Sequence, residues 1–367
     1  MISFFEFIKP HKRLYIRFGR IIFYLNVINT PKFVFCATNA FIKSLDSFQV
    51  LDINIHTLLS NTYHLMKSPG ARLVCFSGGL HKFMNWKKSI LTDSGGFQIF
   101  SLIKNNIYLF KYFENGIFSL FYYKIKYFLT PETSLQIQRN LFTDILISFD
   151  KCINFNKKKK YTKKTMHISF RWSLRSYLEY QKFFCSIQVL YIIIQGGIYS
   201  DLRLENFSIS RSKKFFGYAI GGTIGNNLYQ MLNMIFLTKK NIFYSNSIHL
   251  LGIGKFIDVF ESIKLGIDTL DCVHITRISR HGSILSFYDC NLMQYFNLSN
   301  IKCTFNTNSI DKDCDCCACI NFSFNYIQHL MRMNESIAVR LILVHNIFFF
   351  NKLLIKVCFY IKNNFFL

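Results

Sequence analysis

Asp93 stands in the stretch ILTDSGGFQIF, residues 90–100, where an apolar run stops at a carboxylate and a glycine pair before aromatics resume. Asp, Ser and Gly favour turns on conformational grounds, so a strand followed by a tight turn accounts for the pattern without any chemistry. A second reading gives the turn a purpose. It ends the strand, lets a flat ligand lie against the backbone, and presents an acid or base to it. Other apolar runs stop in the same way: DILISFD at Asp150, VLYIIIQGG at Gln195, GYAIGG at Gly221 and Gly222, IHLLGIG near Gly254, and TLDCV around Asp271.

A different chemistry is written in DKDCDCCACINF. Cys314, Cys316 and Cys319 form a C-x-C-x2-C pattern, and thiolates this close can face one tetrahedral ion without a long ordered loop. The fourth ligand is sought among Cys317, Cys303, His329 and His345. Cys317 adjoins Cys316 and would strain the chelate. His345 lies in RLILVHNIFFF, a strongly apolar helical segment where an unbonded imidazole is costly. We therefore take Cys314, Cys316, Cys319 and His345 as ligands of one Zn2+ per chain in a closed structural site, with iron–sulfur chemistry the poorer match.

These groups need elements to hold them. Between the apolar runs lie segments long enough for helices. TPETSLQIQRNL has Thr130 as cap and Pro131 in the first turn, and FIDVFESIKLG closes at Gly266. Strand–helix alternation predicts a parallel sheet. Six or more such units imply a (β/α)8 TIM barrel, with polar strand ends forming the active site. A doubly wound sheet is the second choice. The segment NFNKKKKYTKK, residues 154–164, reads as a solvated basic loop.

A chain of 367 residues with net charge +24 can bury a large core and attract polyanions, nucleic acid first. The abundance of Phe (42) and Tyr (20) beside only 4 Pro matches AT-rich codon usage, which discounts part of that charge. Twelve cysteines in so large a chain, with an N-terminus that interleaves charges with apolar residues, point to reduced thiols and a cytoplasmic location. The uncharged run 183–200 is broken by Gln188, Gln195, Gly196 and Gly197. Its continuous core, Val189 to Ile194, predicts a buried strand, so no membrane span is expected there.

LTDSGGFQIFSL, NTYHLMKSPG, IIQGGIYSDLR, GYAIGG, HLLGIGK, GIDTLDCVHITR and CDCCAC followed by VHN occur in an order that resembles the bacterial-type tRNA-guanine transglycosylases, the queuine tRNA-ribosyltransferases. The resemblance runs from about Leu14 to Phe359. It implies a barrel core over 14–290, a zinc-binding subdomain over 291–350, and a C-terminal helical segment, 335–367, completing the barrel. It further implies a homodimer that exchanges the wobble guanine of GUN-anticodon tRNAs for a 7-deazaguanine, preQ1, in queuosine biosynthesis. Such an exchange needs a carboxylate that attacks ribose C1′ and a second that trades protons with the base. Two displacements then retain the anomeric configuration. By motif match Asp271 is the nucleophile and Asp93 the general acid/base. Ser94, Gly95, Gly96 and Phe97 shape the base pocket, with Phe97 stacking on the ring. Asp150, Gln195, Gly221 and Gly222 read the base's polar edge, and Leu251 covers its other face. The RNA-contacting stretches correspond to Gly252, Ile253, Gly254, Lys255, Phe256, Ile257 and Asp258, and to Thr276, Arg277, Ile278, Ser279 and Arg280.

The chain departs from the family pattern at Lys151 and Asn226, where a carboxylate is usual, and in the shortened loop after Gly222. These departures predict altered base selectivity, with Lys151 directed outward into solvent. A non-catalytic tRNA-binding accessory subunit of the same fold is the alternative. The presence of both aspartates argues against it.

Overall fold

The computed structural model describes residues 3–10, 15–23, 26–103, 110–120, 126–154, 157–183, 187–222, 225, 227–288, 292–298 and 305–363. Two compact units make up the chain. One comprises Met1–Ala40 and Thr57–Asp271; the other comprises Phe41–His56 and Cys272–Leu367.

The first unit is built on a closed barrel of eight strands. In chain order the barrel strands are β1 Lys32–Cys36, β2 Thr57–Ser60, β3 Ser89–Thr92, β4 Ile145–Ile147, β5 Val189–Ile194, β6 Gly217–Ile220, β7 Ser247–Leu250 and β8 Thr269–Cys272. The ladders among them are parallel, with Leu91 beside Ile145, Ile145 beside Val189, and His249 beside Thr269. All six runs read from the sequence as strands are barrel strands, and the run Val189–Ile194 is buried at every position. Near-continuous Val, Ile and Leu is what a strand covered on both faces requires.

Helices alternate with the strands. Pro131–Asn140 begins at Thr130, whose hydroxyl accepts from the Thr133 N–H while the Thr133 hydroxyl accepts from the Thr130 N–H. Phe256–Lys264 ends before Gly266, whose φ of 90° is left-handed. The basic stretch at 154–164 is not the loop expected. From Lys159 onward it forms the first turns of the helix Lys159–Gln181, and Lys159 and Lys163 pair with Asp201 and Glu205. Helical spacing puts these two lysines on one face, where carboxylates of the next helix meet them.

An antiparallel sheet of Phe4–Pro10, Arg17–Ile22 and Val27–Thr30 contributes Phe5, Ile21 and Ile28 to the apolar cluster that fills the barrel. Arg17, 1% exposed, reaches Asp268 at 3.2 Å and donates to the carbonyls of Tyr244 and Asn246. Asp268 precedes β8, and Tyr244 and Asn246 precede β7. The ionic plug therefore sits at the N-terminal strand ends, which leaves the C-terminal ends for Asp93, Asp150 and Asp271.

In the second unit, the helix Ser336–Lys362 is long and apolar enough to cross a membrane, yet 61% of its apolar window is buried. Asn346 on that helix donates to Ser279 Oγ and to the Ser283 carbonyl and accepts from the Leu285 N–H. These contacts mark a core helix of a folded unit.

Candidate active site and metal centre

Asp93 follows β3. Its Oδ1 accepts from the N–H groups of Thr62 at 3.0 Å and Gly95 at 3.1 Å, and its Oδ2 accepts from Asn61 Nδ2. The Thr62 hydroxyl donates to the Asp93 carbonyl. Asn61 also caps the helix Thr62–Lys67, so the orienting donor is itself fixed by a helix start. Burial is the main cause that pushes the Asp93 carboxyl up to about 7. The charge of Asp271 adds to the rise, and the Thr62, Gly95 and Asn61 donors oppose it. A carboxyl held near neutrality can both give and take a proton.

Asp150, three residues beyond the end of β4 at Ile147, is 2% exposed. Its Oδ1 accepts from Ser94 Oγ at 3.2 Å, and its Oδ2 accepts from Gln195 Nε2 at 2.7 Å and from the Cys152 thiol at 3.1 Å. Burial raises its pKa against those three donors. The second glycine after Asp93 has a steric reason. A Cβ on Gly96 would lie 2.6 Å from the Asp150 carbonyl oxygen, so only glycine lets strand end and pocket floor meet. Gln195 Oε1 is buried with no protein partner among the described residues. Such an acceptor is costly unless a ligand supplies the donor. A Cβ on Gly222 would fall 2.9 Å from that same oxygen.

Asp271, on β8, is the third carboxylate of this rim. Its Oδ1 accepts from the Gly252 N–H at 3.2 Å and meets His249 Nε2 at 3.2 Å, while its Oδ2 faces the Cys36 thiol at 3.8 Å. The sequence reading missed Asn61, Thr62, His249 and Arg203. Asn61–Thr62 carried the signal of an N-cap before a helix. Arg203 carried no signal of its own. It is 0% exposed and donates to the carbonyls of Gly197, Gly221 and Gly222, which braces the glycine turn beside Gln195.

Phe97, on the helix Gly96–Ile103, is 55% exposed, and Leu251 is half-buried against the barrel core. In the stretch 252–258, Gly252, Lys255 and Ile257 are exposed, while Ile253 and Gly254 are buried. In the helix His274–Arg280, Arg277 is exposed and Ile278 and Arg280 are half-buried. Thr276 and Ser279 are buried, with hydroxyls donating to the Val273 and Ile275 carbonyls. Lys151 is half-buried rather than out in solvent. Its ammonium sits 4.8 Å over the Tyr112 ring, and burial lowers its pKa. Asn226 and the loop residues Thr223 and Ile224 lie outside the described residues, as does Cys303.

The metal-type cluster is in the second unit. The ligand atoms of Cys314, Cys316, Cys319 and His345 lie within 4.8 Å of one another, and all four residues are buried. Tetrahedral bonds of about 2.3 Å to sulfur imply sulfur–sulfur edges of roughly 3.8 Å, so the set suits one ion. His345 Nε2 meets the Leu285 carbonyl at 2.7 Å, which turns Nδ1 to Cys319 Sγ at 3.2 Å and Cys316 Sγ at 3.6 Å. A carbonyl that accepts from the far ring nitrogen fixes the imidazole's tautomer and plane for ligation. Hydrogen bonds from Cys314 and Cys319 lower the thiol pKa of Cys316. Cys317 and His329, the rejected candidates, are exposed.

The sequence profile named Queuine tRNA-ribosyltransferase matches residues 13–367. The chain belongs to that family. It is 38% identical over 331 residues to the queuine tRNA-ribosyltransferase of Fusobacterium nucleatum, an alignment covering 89% of this chain and 86% of the relative. It is 36% identical over 355 residues to that of Thermoanaerobacter sp. strain X514, covering 96% and 92%, and 37% identical over 333 residues to that of Thiobacillus denitrificans, covering 90% and 88%. Membership makes it an enzyme, a tRNA-guanine transglycosylase of queuosine biosynthesis with tRNA and a guanine-type base as substrates.

Proposed function

We propose that this transglycosylase exchanges the wobble guanine of GUN-anticodon tRNAs for preQ1 through a covalent ribosyl–Asp271 intermediate. The observation that carries the reading is the contrast between two carboxylates on one barrel rim. Asp93 is tuned to about 7, and Asp271 has one oxygen engaged by two nitrogen groups and the other facing a weak thiol donor.

Asp271 Oδ2 forms the bond to C1′ while the C1′–N9 bond breaks and its electron pair leaves on guanine. Protonated Asp93 gives that guanine a proton. Its carboxylate then takes one from the incoming base, which attacks C1′ and releases Asp271. Charge balances in each half, and two inversions retain the configuration. Asp150 and Gln195 Oε1 accept from the base's N–H groups, and Phe97 and Leu251 cover its faces. Lys255, Arg277 and Arg280 meet the RNA backbone. Cys314, Cys316, Cys319 and His345 would hold Zn2+, which supplies folding energy there. A homodimer and a cytoplasmic location complete the reading.

The test is incorporation of radiolabelled guanine into a GUN tRNA, with preQ1 as competitor, alongside a denaturing gel for the protein–tRNA adduct. Exchange and adduct in the wild type, both lost in Asp271→Asn with tRNA still bound, support it. An adduct persisting in Asp271→Ala overturns the nucleophile, and failure of preQ1 to compete overturns the base assignment.

A further inference from the structure

We propose that His249 is the positioning residue of the nucleophile, holding Asp271 by one oxygen and favouring the free carboxylate over its ribosyl ester. The proposal deepens the reading of Asp271 as nucleophile and rests on it.

β7 and β8 pair with His249 beside Thr269, and Leu250 beside Leu270. Residues two apart on a strand share a face, so Asp271 projects on the same side as Thr269. One imidazole on β7 can therefore reach both. Its Nδ1 lies 2.9 Å from Thr269 Oγ1 and its Nε2 lies 3.2 Å from Asp271 Oδ1. A carboxylate only accepts, so Nε2 carries the hydrogen. The ring is 0% exposed and Thr269 is 2% exposed, so packing and the hydroxyl fix its plane. The Gly252 N–H at 3.2 Å is the second anchor of Oδ1. Two donors on one oxygen leave Oδ2 as the attacking atom.

A histidine on an apolar strand is often only a satisfied core residue. Here its ring bridges the chemistry-bearing carboxylate and a buried hydroxyl, and the bond it makes changes strength during the reaction. When Oδ2 bonds to C1′, Asp271 loses its charge and Oδ1 becomes an ester carbonyl. The N–H bond from His249 weakens from charge-assisted to neutral, and it strengthens again when the ester is cleaved. A charged partner is favoured over a neutral one by roughly ten-fold in equilibrium terms. Removing the donor should therefore leave more enzyme trapped as the adduct.

The measurement is the guanine concentration that halves the covalent adduct with GUN tRNA, read on denaturing gels for wild type, His249→Phe, His249→Gln and Thr269→Val. His249→Phe should raise that concentration roughly ten-fold, with tRNA affinity and melting temperature near wild type. His249→Gln, which keeps an N–H donor, should bring it back most of the way. Thr269→Val, which frees the ring but keeps the shape of β8, should raise it by a few-fold. An unchanged or lowered concentration in a folded His249→Phe overturns the proposal. Should that variant fail to fold, an unchanged value in Thr269→Val does so instead. Asp271→Asn is the separate control. An adduct there sinks the nucleophile assignment itself, whereas a flat His249 series with no adduct in Asp271→Asn sinks only the role of His249.

Discussion

Asp93 makes a stability prediction that is independent of any catalytic assay. Its carboxyl is pushed from an ordinary value of 3.8 up to about 7, chiefly by burial. The folded protein therefore holds a proton that the unfolded chain releases between those two values. The contribution of Asp93 to stability is greatest below pH 3.8 and falls as pH rises, until both states are ionised above about 7. The full shift corresponds to about 4 kcal/mol at roughly 1.36 kcal/mol per unit. Asp93 is not wholly enclosed, and solvent on its open side screens the effect, so about 2 kcal/mol is the working figure. In Asp93→Asn this pH-dependent loss is absent. The variant carries its own penalty, because its amide nitrogen replaces one carboxylate oxygen and meets the donor or donors that oxygen accepted from, Asn61 on one side or Thr62 and Gly95 on the other, but that penalty does not vary with pH and cancels in the slope. Chemical denaturation of both proteins from pH 4 to 8 reads the difference. The stability of the variant relative to wild type should climb by about 2 kcal/mol over the range. Parallel curves would show that Asp93 is ionised well below neutrality, and its acid–base assignment would fall with them.

The other predictions concern the pocket and the metal cluster. Gly96→Ala puts a Cβ 2.6 Å from the Asp150 carbonyl oxygen, which forces the pocket floor to move; exchange should fall on the order of 100-fold with the fold intact, read as kcat/KM for guanine. Gln195→Leu removes a donor to Asp150 and the acceptor Oε1 together, so the KM for the base should rise roughly 10–100-fold while tRNA affinity holds. Cys316→Ala should abolish the bound metal and lower the melting temperature, with metal analysis and thermal melts as the measurements; full zinc content in that variant would move the site.

The sequence by itself determined the barrel wherever strands are apolar runs followed closely by Gly, Asp or Gln. It also pointed to Cys314, Cys316, Cys319 and His345 as one candidate metal cluster, and the structure gathers their ligand atoms within 4.8 Å of one another. β1 and β2, Lys32–Cys36 and Thr57–Ser60, were not legible as strands. Neither stops at a glycine or carboxylate that would set it apart from core-forming loop sequence. The lysine run at 159–164 looked like a loop because its partners, Asp201 and Glu205, lie about forty positions away in the chain. Only the tertiary structure could decide what surrounds each carboxylate. Asp93 and Asp271 are the same residue type at the same kind of strand end. Asn61, Thr62 and Gly95 hold one, and His249 and Gly252 hold the other. Except for Gly95, these donors come from other strand ends, brought near only when the barrel closes, and hydrogen bonding and desolvation act through space, whatever the distance along the chain.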